Sequence, residues 1–92
     1  MFRKHVFISG RVQGVYFRLF VQETARETGV RGWVRNRRDG RVEAVFEGPP
    51  EALEKMIRRC REGPPASRVE NVELIDEAYQ GEYMDFQIVP KV

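Results

Sequence analysis

Apolar residues recur along the chain with two different spacings, that of a β-strand and that of an α-helix. The order of these two spacings is the feature that most limits the fold. Five segments have the alternation or the β-branched composition of strands, and two have the spacing of an amphipathic helix. The strand segments are residues 4–10, 30–37, 41–47, 69–75 and 84–89, and the helical ones are residues 16–28 and the segment between Pro50 and Gly63. The predicted order is therefore strand, helix, strand, strand, helix, strand and one short further strand.

Two strand–helix–strand crossovers, each right-handed, place both helices on one face of a four-stranded antiparallel sheet. The pattern thus predicts an α+β fold, the ferredoxin-like βαββαβ sandwich, with a short extra strand. Residues 1–92 are enough for one hydrophobic core and contain no linker, so we expect a single domain. This fold hosts enzymes, RNA-binding modules and regulatory domains, so it does not decide the function.

Turn and cap residues support these boundaries. Gly29 follows the first helix in the position that favours left-handed backbone, and Asp39-Gly40 is a strong hairpin signal between the second and third strands. In the third strand, Val42, Ala44 and Phe46 alternate with polar residues. We therefore expect one face of this hairpin to be buried and the other to meet water.

Composition excludes several classes of site. The net charge is only +2, too small an excess to argue for nucleic acid. Cys60 is the only cysteine and His5 the only histidine, so we expect no disulfide, no metal site, no cofactor and no histidine-based triad. Cys60 lies on the apolar side of the second helix, where core packing is favoured. No signal peptide or membrane span is recognisable, so we expect a cytoplasmic protein without a membrane partner.

The connection between the first strand and the first helix has the composition of an anion-binding turn. It reads Gly10-Arg11-Val12-Gln13-Gly14-Val15-Tyr16-Phe17-Arg18, and no acidic residue occurs from Gly10 to Gln22. A helix start usually has a polar cap and acidic residues in its first turn, and this one has neither. Its N–H groups can converge on a phosphate, with Arg18 binding the oxygens. An ordinary glycine-containing connection with a surface arginine is the alternative.

Asn36 shares a strand face with Val30 and Val34, the face expected to pack against the helices. An amide there needs a partner or water. It either closes the hairpin as a turn residue or holds a water molecule near the start of the first helix.

The opposite face of the hairpin combines Trp33 with four arginines, Arg35, Arg37, Arg38 and Arg41. Such a surface can bind single-stranded nucleic acid by stacking and charge. Because Glu43 and Glu47 of the next strand neutralise the patch, we favour a solvated surface and expect no nucleic-acid partner.

At these residues the sequence resembles the acylphosphatase family. The stretch Gly10–Arg18 matches the first signature of that family, and Gly32-Trp33-Val34-Arg35-Asn36 followed by Asp39-Gly40-Arg41-Val42-Glu43 matches the second. The similarity extends over nearly the whole chain. It implies a free-standing enzyme that hydrolyses acyl phosphates, the mixed anhydrides of carboxylic and phosphoric acid, to a carboxylate and inorganic phosphate without metal or cofactor.

The resemblance also implies the site residues. Arg18 would bind the phosphate, and Asn36 would orient the attacking water. Backbone N–H groups would complete the phosphate cradle, namely those of Gln13, Gly14, Val15, Tyr16, Phe17 and Arg18. Because an acyl phosphate has a good leaving group, positioning and charge stabilisation suffice. The proton of the water passes to a phosphate oxygen of the substrate, or the attack is unassisted.

For the whole protein we expect a monomer that takes a small acyl phosphate and is inhibited by inorganic phosphate, its product. The alternative function is a non-catalytic ferredoxin-like module that binds an anion or RNA.

Overall fold

The computed structural model describes all residues from 1 to 92 and contains seven elements in the predicted order. These are β1 (Phe2–Arg11), α1 (Phe17–Thr28), β2 (Arg31–Asn36), β3 (Val42–Gly48), α2 (Pro50–Glu62), β4 (Arg68–Glu77) and β5 (Phe86–Ile88). The strands form one sheet in the order β4-β1-β3-β2-β5. Strands β1 to β4 pair antiparallel, whereas β5 pairs parallel with β2. The predicted ferredoxin-like sandwich is confirmed, and the extra strand makes the sheet mixed.

Helix α1 follows the predicted apolar periodicity. Phe17, Val21 and Ala25 are buried. The helix ends where Gly29 adopts left-handed backbone (φ 81°) and donates its N–H to the carbonyl of Ala25. At the other end no side chain caps the helix, and its first turn contains no acidic residue. The partial positive charge of that end is therefore left unneutralised by the surrounding side chains.

Helix α2 contributes the second apolar stripe of the core. Pro50 occupies the first turn, where its missing N–H is harmless. Leu53, Met56 and Cys60 are buried, and burial raises the pKa of the Cys60 thiol to about 12. Neither helix has the length and hydrophobicity of a membrane span.

The outer face of β3 is buried, so the prediction that it meets water was wrong. Glu43 and Glu47 are each only 3% exposed. Glu43 accepts hydrogen bonds from Arg35 Nε and Arg37 Nη1, both at 2.9 Å, and lies 2.6 Å from Nε2 of His5. The alternation of β3 did not show this burial because the covering side chains come from the strands on both sides of it.

The connection between β4 and β5 also covers this face. The backbone N–H of Gln80 donates to Glu47 at 3.0 Å, and Trp33 Nε1 donates to the hydroxyl of Tyr83 at 3.1 Å. As a result, Trp33 is half-buried on this face of the sheet.

Candidate active site

A cavity at the start of α1 brings together the two stretches that the sequence analysis singled out. It has a volume of about 490 Å³. It is lined by Val12, Gly14, Tyr16, Phe17, Arg18, Leu19, Asn36 and Ile88. Helix α1 has 12 residues and β2 has six, and both lengths correspond to about 18–20 Å. Because Gly29 reverses the chain between them, the end of β2 comes level with the start of α1.

The turn before α1 contains a run of backbone N–H groups that have no acceptor in the protein. None of the N–H groups of residues 13–18 donates a hydrogen bond, and the first bond of the helix runs from the N–H of Phe20 to the carbonyl of Tyr16. Gly14 (φ 74°) and Tyr16 (φ 63°) both have left-handed backbone. Turns with successive free N–H groups form concavities that bind anions. The turn therefore has the features of an anion cradle.

Arg18 lies on the first turn of the helix and is not committed to another residue. Its guanidinium takes part in none of the ion pairs of the protein. By contrast, Arg35 and Arg37 are both paired with Glu43. The Arg18 guanidinium is therefore free to bind an anion at the helix start.

Asn36 ends β2, and its side-chain oxygen is an unpaired acceptor. The Oδ1 atom is buried and accepts no hydrogen bond, although nearly all buried acceptors in proteins have a partner. Its backbone is held in the sheet opposite Val42, and its carbonyl accepts the N–H of Val92 at 3.1 Å. The side chain lines the cavity and makes no hydrogen bond that closes the hairpin. Of the two alternatives left by the sequence, the geometry favours a polar group that faces the start of α1.

Gln13 fixes the turn to the hairpin that carries Asn36. Its Nε2 donates to the backbone carbonyls of Arg37 at 2.7 Å and Arg41 at 3.0 Å. Only the backbone N–H of Gln13 was predicted to take part, because no local pattern shows that its side chain reaches a turn 24 residues away. The side chain thus sets the distance between the two halves of the cavity.

Three of the four arginines in the patch around Trp33 are paired with acidic residues, whereas Arg38 is exposed and makes no ion pair. Arg35 lies over the Trp33 ring, with its guanidinium carbon 4.6 Å from the ring centroid, and is paired with Glu43. Arg41 pairs with Asp39 at 2.8 Å, and this contact holds the pKa of Asp39 well below its usual range. The paired arginines are therefore neutralised by the buried Glu43 and by Asp39. The expected pairing with Glu47 on a solvated surface was wrong, because Glu47 is buried and pairs with Arg3 at 3.2 Å. No group of His, Cys, Asp and Glu side chains converges as a metal site requires.

The architecture and the start of α1 define a class, the ferredoxin-like α+β proteins in which the connection from the first strand to the first helix leaves backbone N–H groups free. Residues 4–88 match the family model described as acylphosphatase. The chain belongs to the acylphosphatase family, and the resemblance noted in its sequence is confirmed.

Relatives cover the chain almost completely. The acylphosphatase of Pyrobaculum arsenaticum is 58% identical over 91 residues, which are 98% of this chain and 96% of that protein. The crystal structure of acylphosphatase from Bacillus subtilis matches with a TM-score of 0.93 at 39% identity and covers 97% of this chain and 99% of that one. Full-length HypF, crystallised in a phosphate- and nucleotide-bound form, matches 98% of this chain with a TM-score of 0.89 and 34% identity, but only 12% of its own length takes part.

Proposed function

We propose that this chain hydrolyses acyl phosphates with the phosphate held by Arg18 and the N–H groups of residues 13–18, and with the attacking water oriented by Asn36. Acyl phosphate hydrolysis follows from membership of the acylphosphatase family. The assignment of the residues rests mainly on Asn36, whose side chain lines the same cavity as Arg18 and carries a buried Oδ1 without a partner.

The phosphate site is supported by its donors. A helix N-terminus acts as roughly half a positive charge, and the cradle adds N–H groups that have no acceptor in the protein. The guanidinium of Arg18 adds a full charge and binds two phosphate oxygens at once. Charge spreads over the non-bridging phosphate oxygens during phosphoryl transfer, so fixed donors around them lower the barrier.

The water site is supported by the chemistry of the amide. A carbonyl oxygen accepts a hydrogen bond from water and thereby turns a lone pair of the water toward the phosphorus. As the new bond from water to phosphorus forms, the bond from phosphorus to the carboxyl oxygen breaks and the carboxylate leaves as an anion. The proton of the water passes to a phosphate oxygen. A carboxylate is a weak base and needs no general acid, and Arg18 is the only ionisable group besides Tyr16 that lines the cavity.

Hydrolysis of acetyl phosphate in the presence of EDTA tests this proposal. We expect full activity in EDTA, because Arg18 and the N–H groups supply the positive charge. The Arg18→Ala variant should lose about 10²–10⁴-fold in kcat/KM. Arg58→Ala is the matched control, since Arg58 is an exposed arginine on α2. Near-normal turnover of Arg18→Ala contradicts the assigned role, and activity that is lost in EDTA and restored by Mg²⁺ contradicts the metal-independent mechanism.

Three further expectations belong to the same proposal. Inorganic phosphate should inhibit competitively, because it fits the same cradle as the substrate phosphate. The protein should be a monomer, with a mass of 10.8 kDa by light scattering. The expected cytoplasmic location stays a prediction, which fractionation of the source cells tests.

A further inference from the structure

One wall of the catalytic cavity is apolar and is not used by the phosphate or the water. Beside Arg18, Asn36 and Gly14, the cavity is lined by five hydrophobic residues, Val12, Tyr16, Phe17, Leu19 and Ile88. Val12 and Phe17 are buried in the core, but Tyr16, Leu19 and Ile88 keep 82%, 45% and 37% of their surface exposed. These three come from the turn, from α1 and from β5. They form an exposed apolar wall beside the proposed phosphate site.

Tyr16 is kept in a backbone conformation that disfavours its side chain. It is the only non-glycine residue with positive φ (φ 63°, ψ 25°), and it occupies the N-cap of α1 without making a capping hydrogen bond. Glycine adopts this conformation freely, and asparagine both tolerates it and caps a helix. The exposed ring gives little packing in return. Such strained residues cluster where proteins contact their ligands.

We propose that Tyr16, Leu19 and Ile88 form an acyl-binding subsite that selects acyl phosphates with an aromatic or long aliphatic acyl group. The inference rests on the phosphate site proposed above, because a phosphate fixed beside Arg18 places the acyl group next to this wall. An apolar acyl group gains by covering exposed apolar surface. A carboxylate-bearing acyl group would lose water there, and Arg18, the only cationic residue that lines the cavity, is already bound to the phosphate.

The subsite should act on KM rather than on kcat. Its contacts lie away from the reacting bond and are therefore the same in the bound substrate and in the transition state. We expect KM for benzoyl phosphate to be about tenfold lower than for acetyl phosphate, and KM for succinyl phosphate to show no such gain. This KM advantage of benzoyl phosphate over acetyl phosphate should shrink about two- to threefold when one of the three side chains is removed.

The test is the ratio of kcat/KM for benzoyl phosphate to kcat/KM for acetyl phosphate. It is measured for the wild type and for Leu19→Ala, Ile88→Ala and Tyr16→Asn, the last of which keeps a residue that tolerates left-handed backbone. Leu74→Ala is the matched control, because Leu74 is 37% exposed on β4, as Ile88 is on β5. We expect the ratio to fall about two- to threefold through KM in each of the three variants and to stay constant in Leu74→Ala.

The same assay separates this inference from the proposed function. A ratio that is unchanged in all three variants, or that falls through kcat, overturns the subsite, as does a preference for succinyl phosphate. Those results leave the roles of Arg18 and Asn36 standing, since these roles are tested with acetyl phosphate alone. Conversely, an active Arg18→Ala enzyme contradicts the phosphate site whatever the ratio is.

Discussion

Replacement of Asn36 by alanine should slow the enzyme without weakening the fold. The Oδ1 of Asn36 is buried without a partner, so alanine removes an unpaired acceptor and breaks no hydrogen bond of that atom. An unsatisfied buried polar group costs about 1–3 kcal/mol. The side chain lines an open cavity, so its loss leaves no closed void in the core. We therefore expect the free energy of unfolding to stay at the wild-type value or to rise by up to about 2 kcal/mol.

The activity of Asn36→Ala should change in the opposite direction. Loss of the group that orients the water is expected to lower kcat for acetyl phosphate about 10²–10³-fold. KM should change little, because Arg18 and the cradle still hold the phosphate. Urea unfolding, followed by the fluorescence of Trp33, the only tryptophan, gives the stability of the same preparation.

Asn71→Ala is the control, since Asn71 is an exposed asparagine on β4. Its stability and activity should match those of the wild type. If Asn36→Ala lowered the free energy of unfolding by more than about 1 kcal/mol, Asn36 would support the fold through a further contact. A kcat within threefold of the wild type would remove its role in orienting the water.

Three further predictions concern the surroundings of the site. Gln13→Ala removes both hydrogen bonds to the hairpin carbonyls and should lower the free energy of unfolding by about 1–3 kcal/mol. It should also raise the Ki of inorganic phosphate. An unchanged urea midpoint contradicts the stability effect. Burial alone would raise the pKa of Glu43, but hydrogen bonds from two arginines and His5 hold it below its ordinary value of 4.5. The stabilisation by this carboxylate is therefore complete above about pH 4.5 and is lost as the pH falls through the lower pKa of the folded state. Urea midpoints measured between pH 6 and pH 2 should fall more steeply in the wild type than in Glu43→Gln. Parallel curves for the two proteins would refute this. The buried thiol of Cys60 should react with a thiol reagent only at the rate of unfolding, and rapid labelling of the native protein contradicts its place in the core.

The elements of the fold were predictable because local chemistry sets their limits. Helix α1 ends before Gly29, whose left-handed backbone lets its N–H bond to the carbonyl of Ala25. Asp39-Gly40 forms the turn between β2 and β3. The meeting of Arg18 and Asn36 in one cavity was also within reach, because a short reversal at Gly29 joins a helix and a strand of equal length.

The outer face of the sheet was not predictable from local pattern. The burial of Glu43 depends on His5, which lies 38 residues earlier in the chain, and Trp33 bonds to Tyr83, which lies 50 residues later. Alternation along β3 describes which face a residue takes but not which distant side chains cover that face. The strained backbone of Tyr16 was missed for a similar reason, since only the folded turn shows that an aromatic residue occupies a position suited to glycine.

Binding of inorganic phosphate to the turn before α1 is the direct test of the proposed phosphate site. Titration of the ¹⁵N-labelled protein with phosphate should give the largest saturable shifts at the backbone N–H groups of residues 13–18, with a Kd equal to the competitive Ki. The same titration of Arg18→Ala should show these shifts only at much higher phosphate concentration. Shifts that are absent, or that are confined to another face of the molecule, would contradict a phosphate site at this turn.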